Sequence, residues 1–147
     1  MSSVHASAVL VGARAVLIRG PSGAGKSRLA SALLQHSAES GQPPFALLVA
    51  DDRSHLEPHH GRLLVRPAPE IKGLIEVRGL GIRRLPYEPV AVVGLVVDLA
   101  APDGERMPAP ASARVTIDGI ELARLAVAPG ADPLPLVLAA LATTPHP

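Results

Sequence analysis

Eight consecutive residues constrain this 147-residue chain more than any others: Gly20-Pro21-Ser22-Gly23-Ala24-Gly25-Lys26-Ser27. They fit G-x-x-x-x-G-K-[ST] at every fixed position. Glycines there let the backbone curl so that its N–H groups close around a phosphate. Lys26 has the reach for β/γ-phosphates, and the Ser27 hydroxyl suits a Mg²⁺ ion. The flanks agree. Ala15-Val16-Leu17-Ile18-Arg19 reads as a strand entering the loop. From Lys26 to about His36, Leu29, Ala30, Leu33 and Leu34 share one helical face. A helix starting at Lys26 aims its N-terminal dipole at the anion. The plainer alternative is a glycine-rich turn that matches by coincidence.

The rest must fold around this unit with almost no aromatic residues. Apolar content is 48%, yet there is one Phe, one Tyr and no Trp, so the core is expected to be aliphatic. Little aromatic surface remains for stacking bases, and a net charge of +1 shows no basic excess, so a nucleic-acid partner is not expected. The absence of cysteine excludes disulfides, thiolate ligands and thiol catalysis, and suits a reducing compartment. No basic n-region precedes an apolar stretch at Met1-Ser2-Ser3-Val4-His5. The longest apolar run, Val90 to Ala101, is too short to span a bilayer and is broken by Gly94 and Asp98. The expectation is one cytoplasmic domain over residues 1–147 with no membrane partner.

In chain order, Ala8–Val11 and Ala15–Arg19 read as a hairpin across Gly12-Ala13-Arg14. The helix fades near Glu39 and ends at Gly41-Gln42-Pro43-Pro44. Phe45–Ala50 is a continuous apolar run expected as a buried central strand, ending in Asp51-Asp52. Leu56 and Leu63-Leu64-Val65 suggest a second hairpin around His59-His60-Gly61, and Ala68–Gly73 reads as irregular. Leu74–Ile82 is apolar with two opposite charges, Glu76 and Arg78. Val90–Leu99 is another strand, Ala100–Ala113 a surface loop, Val115–Leu122 a hairpin about Asp118-Gly119, and Pro133–Ala142 a short helix, with a Pro145–Pro147 tail.

Carboxylates follow the loop at the expected place. Mg²⁺ takes hard oxygen ligands, and Asp51-Asp52 sits where a strand would deliver them. If that strand continues through the pair, alternation turns only one Asp toward the γ-phosphate, leaving the other to a metal, water or backbone partner. The alternative is a surface turn with two solvated carboxylates. Glu76 and Arg78 in an apolar stretch need partners, a metal, or a sheet edge facing water. His5 alone is most simply a surface residue. His55, His59 and His60 match no metal template.

Together these pieces resemble the catalytic domain of bacterial HPr kinase/phosphorylase. The likeness rests on His5-Ala6, Gly20–Ser27, Val49-Ala50-Asp51-Asp52, Ala68-Pro69-Glu70 and Leu74-Ile75-Glu76-Val77-Arg78-Gly79-Leu80-Gly81-Ile82. The last nonapeptide is its most specific part. The likeness runs from about Val4 to Arg106. It implies an α/β P-loop nucleotide-binding domain similar to the phosphoenolpyruvate carboxykinase core, a mixed sheet with flanking helices. It implies transfer of the γ-phosphoryl group of ATP to a serine of the phosphocarrier HPr of the sugar phosphotransferase system, with ATP and Mg²⁺ bound. By the resemblance, Gly20, Pro21, Ser22, Gly23, Ala24, Gly25, Lys26 and Ser27 bind ATP. Ser27 and Glu76 hold Mg²⁺. His5, Lys26, Asp51, Asp52 and Arg106 are catalytic, with Asp52 as the base. Glu76, Arg78, Gly79 and Gly81 belong to the signature and substrate region.

The chain also departs from that pattern. By the resemblance it is expected to begin at the catalytic domain, without the family's N-terminal domain. The segment after the signature is short. Ala128 and Ala131 stand around Pro129-Gly130 where the family carries two arginines tied to the reverse, dephosphorylating reaction. Kinase activity with weak or absent phosphorylase activity is therefore expected, in a short form similar to those of alphaproteobacteria, and a homo-oligomer is compatible. Two other functions fit the loop: a small-molecule kinase, and a non-catalytic ATP-sensing module.

Overall fold

The computed structural model describes residues 1–146; the tail reading at Pro147 lies outside them. In chain order the elements are β1 (Ser2–Val4), β2 (Ala6–Val11), β3 (Arg14–Arg19), α1 (Lys26–Ser40), β4 (Ala46–Ala50), β5 (Ser54–His59) and β6 (Arg62–Pro67). Then follow β7 (Leu74–Val77), β8 (Gly81–Arg84), β9 (Ala91–Asp98), β10 (Arg114–Ile117), β11 (Ile120–Ala126) and α2 (Pro133–Ala142). Among the described residues nine strands form one mixed sheet, and β7–β8 form a separate hairpin. The α/β expectation holds.

β9 is the hub. One edge pairs in parallel with β3. The other edge takes β6 at Ala91-Val92 and then β11 from Leu95 to Asp98, so the sheet divides along this strand. Val93, Val96 and Val97 are buried on its two faces. That is why its sequence is apolar almost throughout. One core lies between the two halves of the divided sheet, with Ala8, Leu17, Leu56, Leu63 and Val65. The other lies under the helices, where Leu29, Ala30 and Leu33 of α1 and Val137 of α2 meet Val9, Val16, Ile18 and Val97. No Phe belongs to either cluster, as composition requires.

Two expectations need correction. The Phe45–Ala50 run is an edge strand, not a central one: β4 pairs only with β2 inside the sheet order, and Phe45 is 48% exposed. Leu48, Val49 and Ala50 are nonetheless buried, because α1 covers one face and Tyr87-Glu88 lies along the free edge. The Glu88 N–H donates to the Leu48 carbonyl at 2.8 Å. Ala68–Gly73 is also less irregular than expected, since Pro69–Ile71 forms a 3₁₀ turn. The 54–67 hairpin turns at His60-Gly61, both at positive φ, and the 114–126 hairpin turns likewise at Asp118-Gly119. The first helix runs to Ser40 and is closed by Gly41 at φ 72°, whose N–H donates to the Ser37 carbonyl.

Topology gathers the informative segments at one end. β3, β9 and β11 are mutually parallel, so their C-terminal ends, Arg19, Asp98 and Ala126, lie in a row. β2 runs antiparallel to β3 and β4, so its start, next to His5, meets the end of β3 and the end of β4. The loops after parallel strands are where α/β sheets bind ligands.

Candidate active site

The Gly20–Ser27 loop leaves β3 at this end and turns directly into α1. Gly23 and Gly25 sit at φ 82° and 98°, in the left-handed region that favours glycine. Gly20 is needed for a different reason. A Cβ there would stand 3.1 Å from the Leu99 Cβ and 3.3 Å from the Leu99 carbonyl oxygen. The Lys26 ammonium folds over the loop and donates to the carbonyls of Gly20 (2.8 Å) and Pro21 (3.2 Å). Gly25 caps α1 without a side-chain hydrogen bond, and the first turn holds no acid but does hold Lys26 and Arg28. Cations at a helix N-terminus oppose the dipole, whose free N–H groups favour an anion. The loop is thus built for a negatively charged ligand.

Asp51 and Asp52 follow β4, and alternation along a strand does not decide their roles. The strand ends at Ala50. Asp51 turns inward and is buried, while Asp52 adopts φ 67° and is exposed. Three groups donate to the Asp51 carboxylate: Ser27 Oγ (2.7 and 2.9 Å), Ser7 Oγ (2.7 Å) and the Glu76 backbone N–H (3.1 Å). All are neutral, and no ion pair reaches Asp51 among the described residues. A buried carboxylate without a cationic partner is costly. Its oxygens and the Ser27 hydroxyl together make a hard donor set of the kind that would suit a Mg²⁺ ion. No group of three His, Cys, Asp or Glu that could hold a metal occurs among the described residues.

Ser7 escaped the sequence reading. Its buried hydroxyl donates to Asp51 and accepts from the Asp52 N–H at 3.3 Å, so one side chain holds both aspartates. A serine between Ala6 and Ala8 carries no motif; only the register of β2 against β4 reveals it.

The other expected residues are placed unequally. His5 is exposed between β1 and β2, at the end of the sheet where the loop and Asp51-Asp52 lie. Glu76 reaches the site by its backbone; its carboxylate is exposed and forms no hydrogen bond or ion pair among the described residues. Arg78 is exposed as well, in the turn joining β7 to β8, with Gly79 and Gly81 at φ 90° and 91°. Leu80 and Ile82 of this hairpin are 62% and 63% exposed. A groove of about 530 Å³ between the hairpin and α1, lined by Ser31, Leu34, Val77 and Arg83, excludes the loop and both aspartates. Arg106 is exposed in the segment after β9. His59 and His60 are exposed, edge to face, in their turn.

A charged row also went unread in the sequence. Arg19 forks onto both oxygens of Asp98 (2.7 and 2.9 Å), Arg124 donates to Asp98 (2.6 Å), and Arg124 also forks onto Asp103 (2.7 and 3.0 Å). Burial pushes the Asp98 carboxyl up, but the two guanidinium groups outweigh it and hold it below its ordinary 3.8. The Arg124 hydrogen bond lowers Asp103 as well, and Arg124 is raised in turn, first by Asp103.

A family profile for the HPr Serine kinase C-terminal domain matches residues 1–85, more than half of the chain. The chain belongs to this family. The matched span holds His5, the Gly20–Ser27 loop, both aspartates and the Glu76–Ile82 stretch, and stops short of Arg106. The HPr kinase/phosphorylase of Lactobacillus delbrueckii subsp. bulgaricus is 43% identical over 82 residues, covering 55% of this chain and 23% of that protein. That of Mycoplasma mycoides subsp. mycoides is 37% identical over 78 residues, covering 53% of this chain and 22% of that protein. The shared stretch therefore spans less than a quarter of either relative. The solved Hpr(Ser) kinase/phosphatase of Coxiella burnetii superposes with a TM-score of 0.75 at 24% identity, covering 97% of this chain and 95% of that one, which establishes the shared fold.

Proposed function

We propose that the chain is an ATP- and Mg²⁺-dependent protein kinase that phosphorylates a serine of the phosphocarrier HPr. The observation that carries this reading is the shared hydrogen bonding of Ser27 and Asp51 beside Lys26, with Asp52 exposed next to them. Lys26 and the N–H groups of the loop hold the phosphates. Ser27 and Asp51 would hold Mg²⁺, and the exposed Glu76 carboxylate could add to that set. The metal supplies neutralisation of phosphate charge. Asp52 accepts the proton of the seryl hydroxyl as its oxygen bonds to the γ-phosphorus and the bond to the bridging oxygen of ADP breaks. His5 and Arg106 stabilise charge at the transferring group. Most of the catalysis is positioning and electrostatics. Membership in the HPr kinase family supports the acceptor, and the lack of a membrane-spanning helix among the described residues is compatible with a cytoplasmic setting.

We further propose that the reverse, dephosphorylating reaction is weak, as in the short alphaproteobacterial forms. Support comes from Ala128 and Ala131, which leave the Pro129-Gly130 turn after β11 without a cation to bind the incoming phosphate. The P-loop core is of the phosphoenolpyruvate carboxykinase kind by the same resemblance.

The test is incubation with γ-labelled ATP, Mg²⁺ and purified HPr, followed by mapping of the labelled residue. Phosphoserine on HPr is expected. Transfer to small metabolites but not to HPr would favour a metabolite kinase. ATP binding with no transfer at all would favour a sensor.

A further inference from the structure

Arg124 grips both stems of the loop that follows β9. It forks onto Asp103 near the loop's start, and its Nη1 also donates to the Ser112 carbonyl (2.9 Å) near the loop's end. The Asp103 side of the loop is otherwise tied to the sheet. The Ala101 N–H donates to the Val127 carbonyl (2.8 Å), and Gly104 lies so close to Ala128 that a Cβ would stand 2.4 Å from its nitrogen. Between the gripped stems Glu105, Arg106 and Met107 stand free in solvent. Arg124 Nε donates to Asp98, whose two oxygens also take the fork of Arg19, the residue directly before Gly20. The Arg19 carbonyl in turn accepts from the Leu99 N–H at 2.8 Å. Arg124 is only 14% exposed, while Asp103 at the outer end of the row is 46% exposed.

We propose that Arg124, acting through Asp98 and Asp103, is a positioning residue for phosphoryl transfer. It fixes the Arg106 loop to the same strand end that launches the Gly20–Ser27 loop. A planar guanidinium can serve two carboxylates and a carbonyl at once; a lysine ammonium has no such fork. The residue touches no substrate. Its effect reaches the reaction through Arg106, so the proposal rests on the kinase reading above.

Asp103 is the point of attack, because it is half-exposed and its loss leaves the part-buried Asp98–Arg124 pair intact. Transfer to HPr is measured for wild type, Asp103→Ala, Arg106→Ala and the double variant, with trypsin cleavage after Arg106 followed in the same samples. Asp103→Ala is expected to lower kcat by about ten- to a hundredfold, as small misplacements of a charge-bearing group do, with the KM for ATP unchanged. The double variant should lose no more than Arg106→Ala alone, since coupled residues are non-additive. Asp103→Glu should recover part of the loss, and cleavage after Arg106 should be several-fold faster in Asp103→Ala. Wild-type kcat in Asp103→Ala alongside a slow Arg106→Ala, multiplying losses in the double variant, or an unchanged cleavage rate would each overturn the positioning role while leaving the kinase reading standing. Absence of transfer by wild type would overturn the kinase reading and the positioning role together.

Discussion

Asp51 is buried with three neutral donors and, among the described residues, no ion-pair partner, and removing any one donor should be felt. Ser7→Ala deletes one hydrogen bond to the carboxylate and the acceptor for the Asp52 N–H. It should cost about 1–3 kcal/mol of stability by urea denaturation, the usual cost of stranding a buried polar group, while Ser3→Ala, at an exposed position of β1, should be near neutral. Ser27→Ala should raise the Mg²⁺ concentration needed for half-maximal transfer by roughly tenfold, since one hard oxygen leaves the set, with little change in ATP binding in the absence of metal. An unchanged Mg²⁺ requirement would remove Ser27 from the metal site. At this scale the loop was readable, because glycine at fixed spacing has few other uses. The division of labour between Asp51 and Asp52 was not. It depends on β4 stopping at Ala50 and Asp52 taking φ 67°, and no residue pattern announces where a strand stops.

The elements owe their form to pattern and their placement to pairing. α1 was legible from Leu29, Ala30 and Leu33, all buried, and its stop from Gly41. Leu33→Ala should cost about 2–5 kcal/mol, because it empties space between α1 and the sheet, with the loss seen in the denaturation midpoint rather than in a shifted KM. β4 misled because an apolar run says that both faces are covered, not that both edges are paired. Tyr87-Glu88 closes the edge instead. The Glu76–Ile82 stretch was recognisable as a unit, yet its form as a hairpin with exposed Leu80 and Ile82 follows from positive φ at Gly79 and Gly81. Arg124 was invisible for a similar reason: the Asp98 and Asp103 partners lie on other segments, and only the parallel register of β9 and β11 brings them together.

For the whole molecule, the row Arg19–Asp98–Arg124–Asp103 joins the ends of three strands, and its charge state sets an acid limit. The folded Asp98 carboxyl lies below 3.8, so its contribution to stability is complete above that pH, where both folded and unfolded forms are ionised. As the pH falls below 3.8 the unfolded form takes up a proton first, and the contribution is lost through the lower folded value. Urea midpoints between pH 5 and about 2 should therefore fall less steeply in Asp98→Asn than in wild type. Equal slopes would mean that the carboxylate is not held by its arginines in solution.

The most direct measurement of the central claim is single-turnover transfer from Mg²⁺-ATP to HPr by wild type and by Asp52→Asn, with ATP binding measured in the same samples. Wild type should place phosphate on one serine, and Asp52→Asn should bind ATP as tightly while transferring about 10²- to 10⁴-fold more slowly, the usual worth of a general base. Equal rates in the two proteins, or no phosphoserine from wild type, would contradict the account.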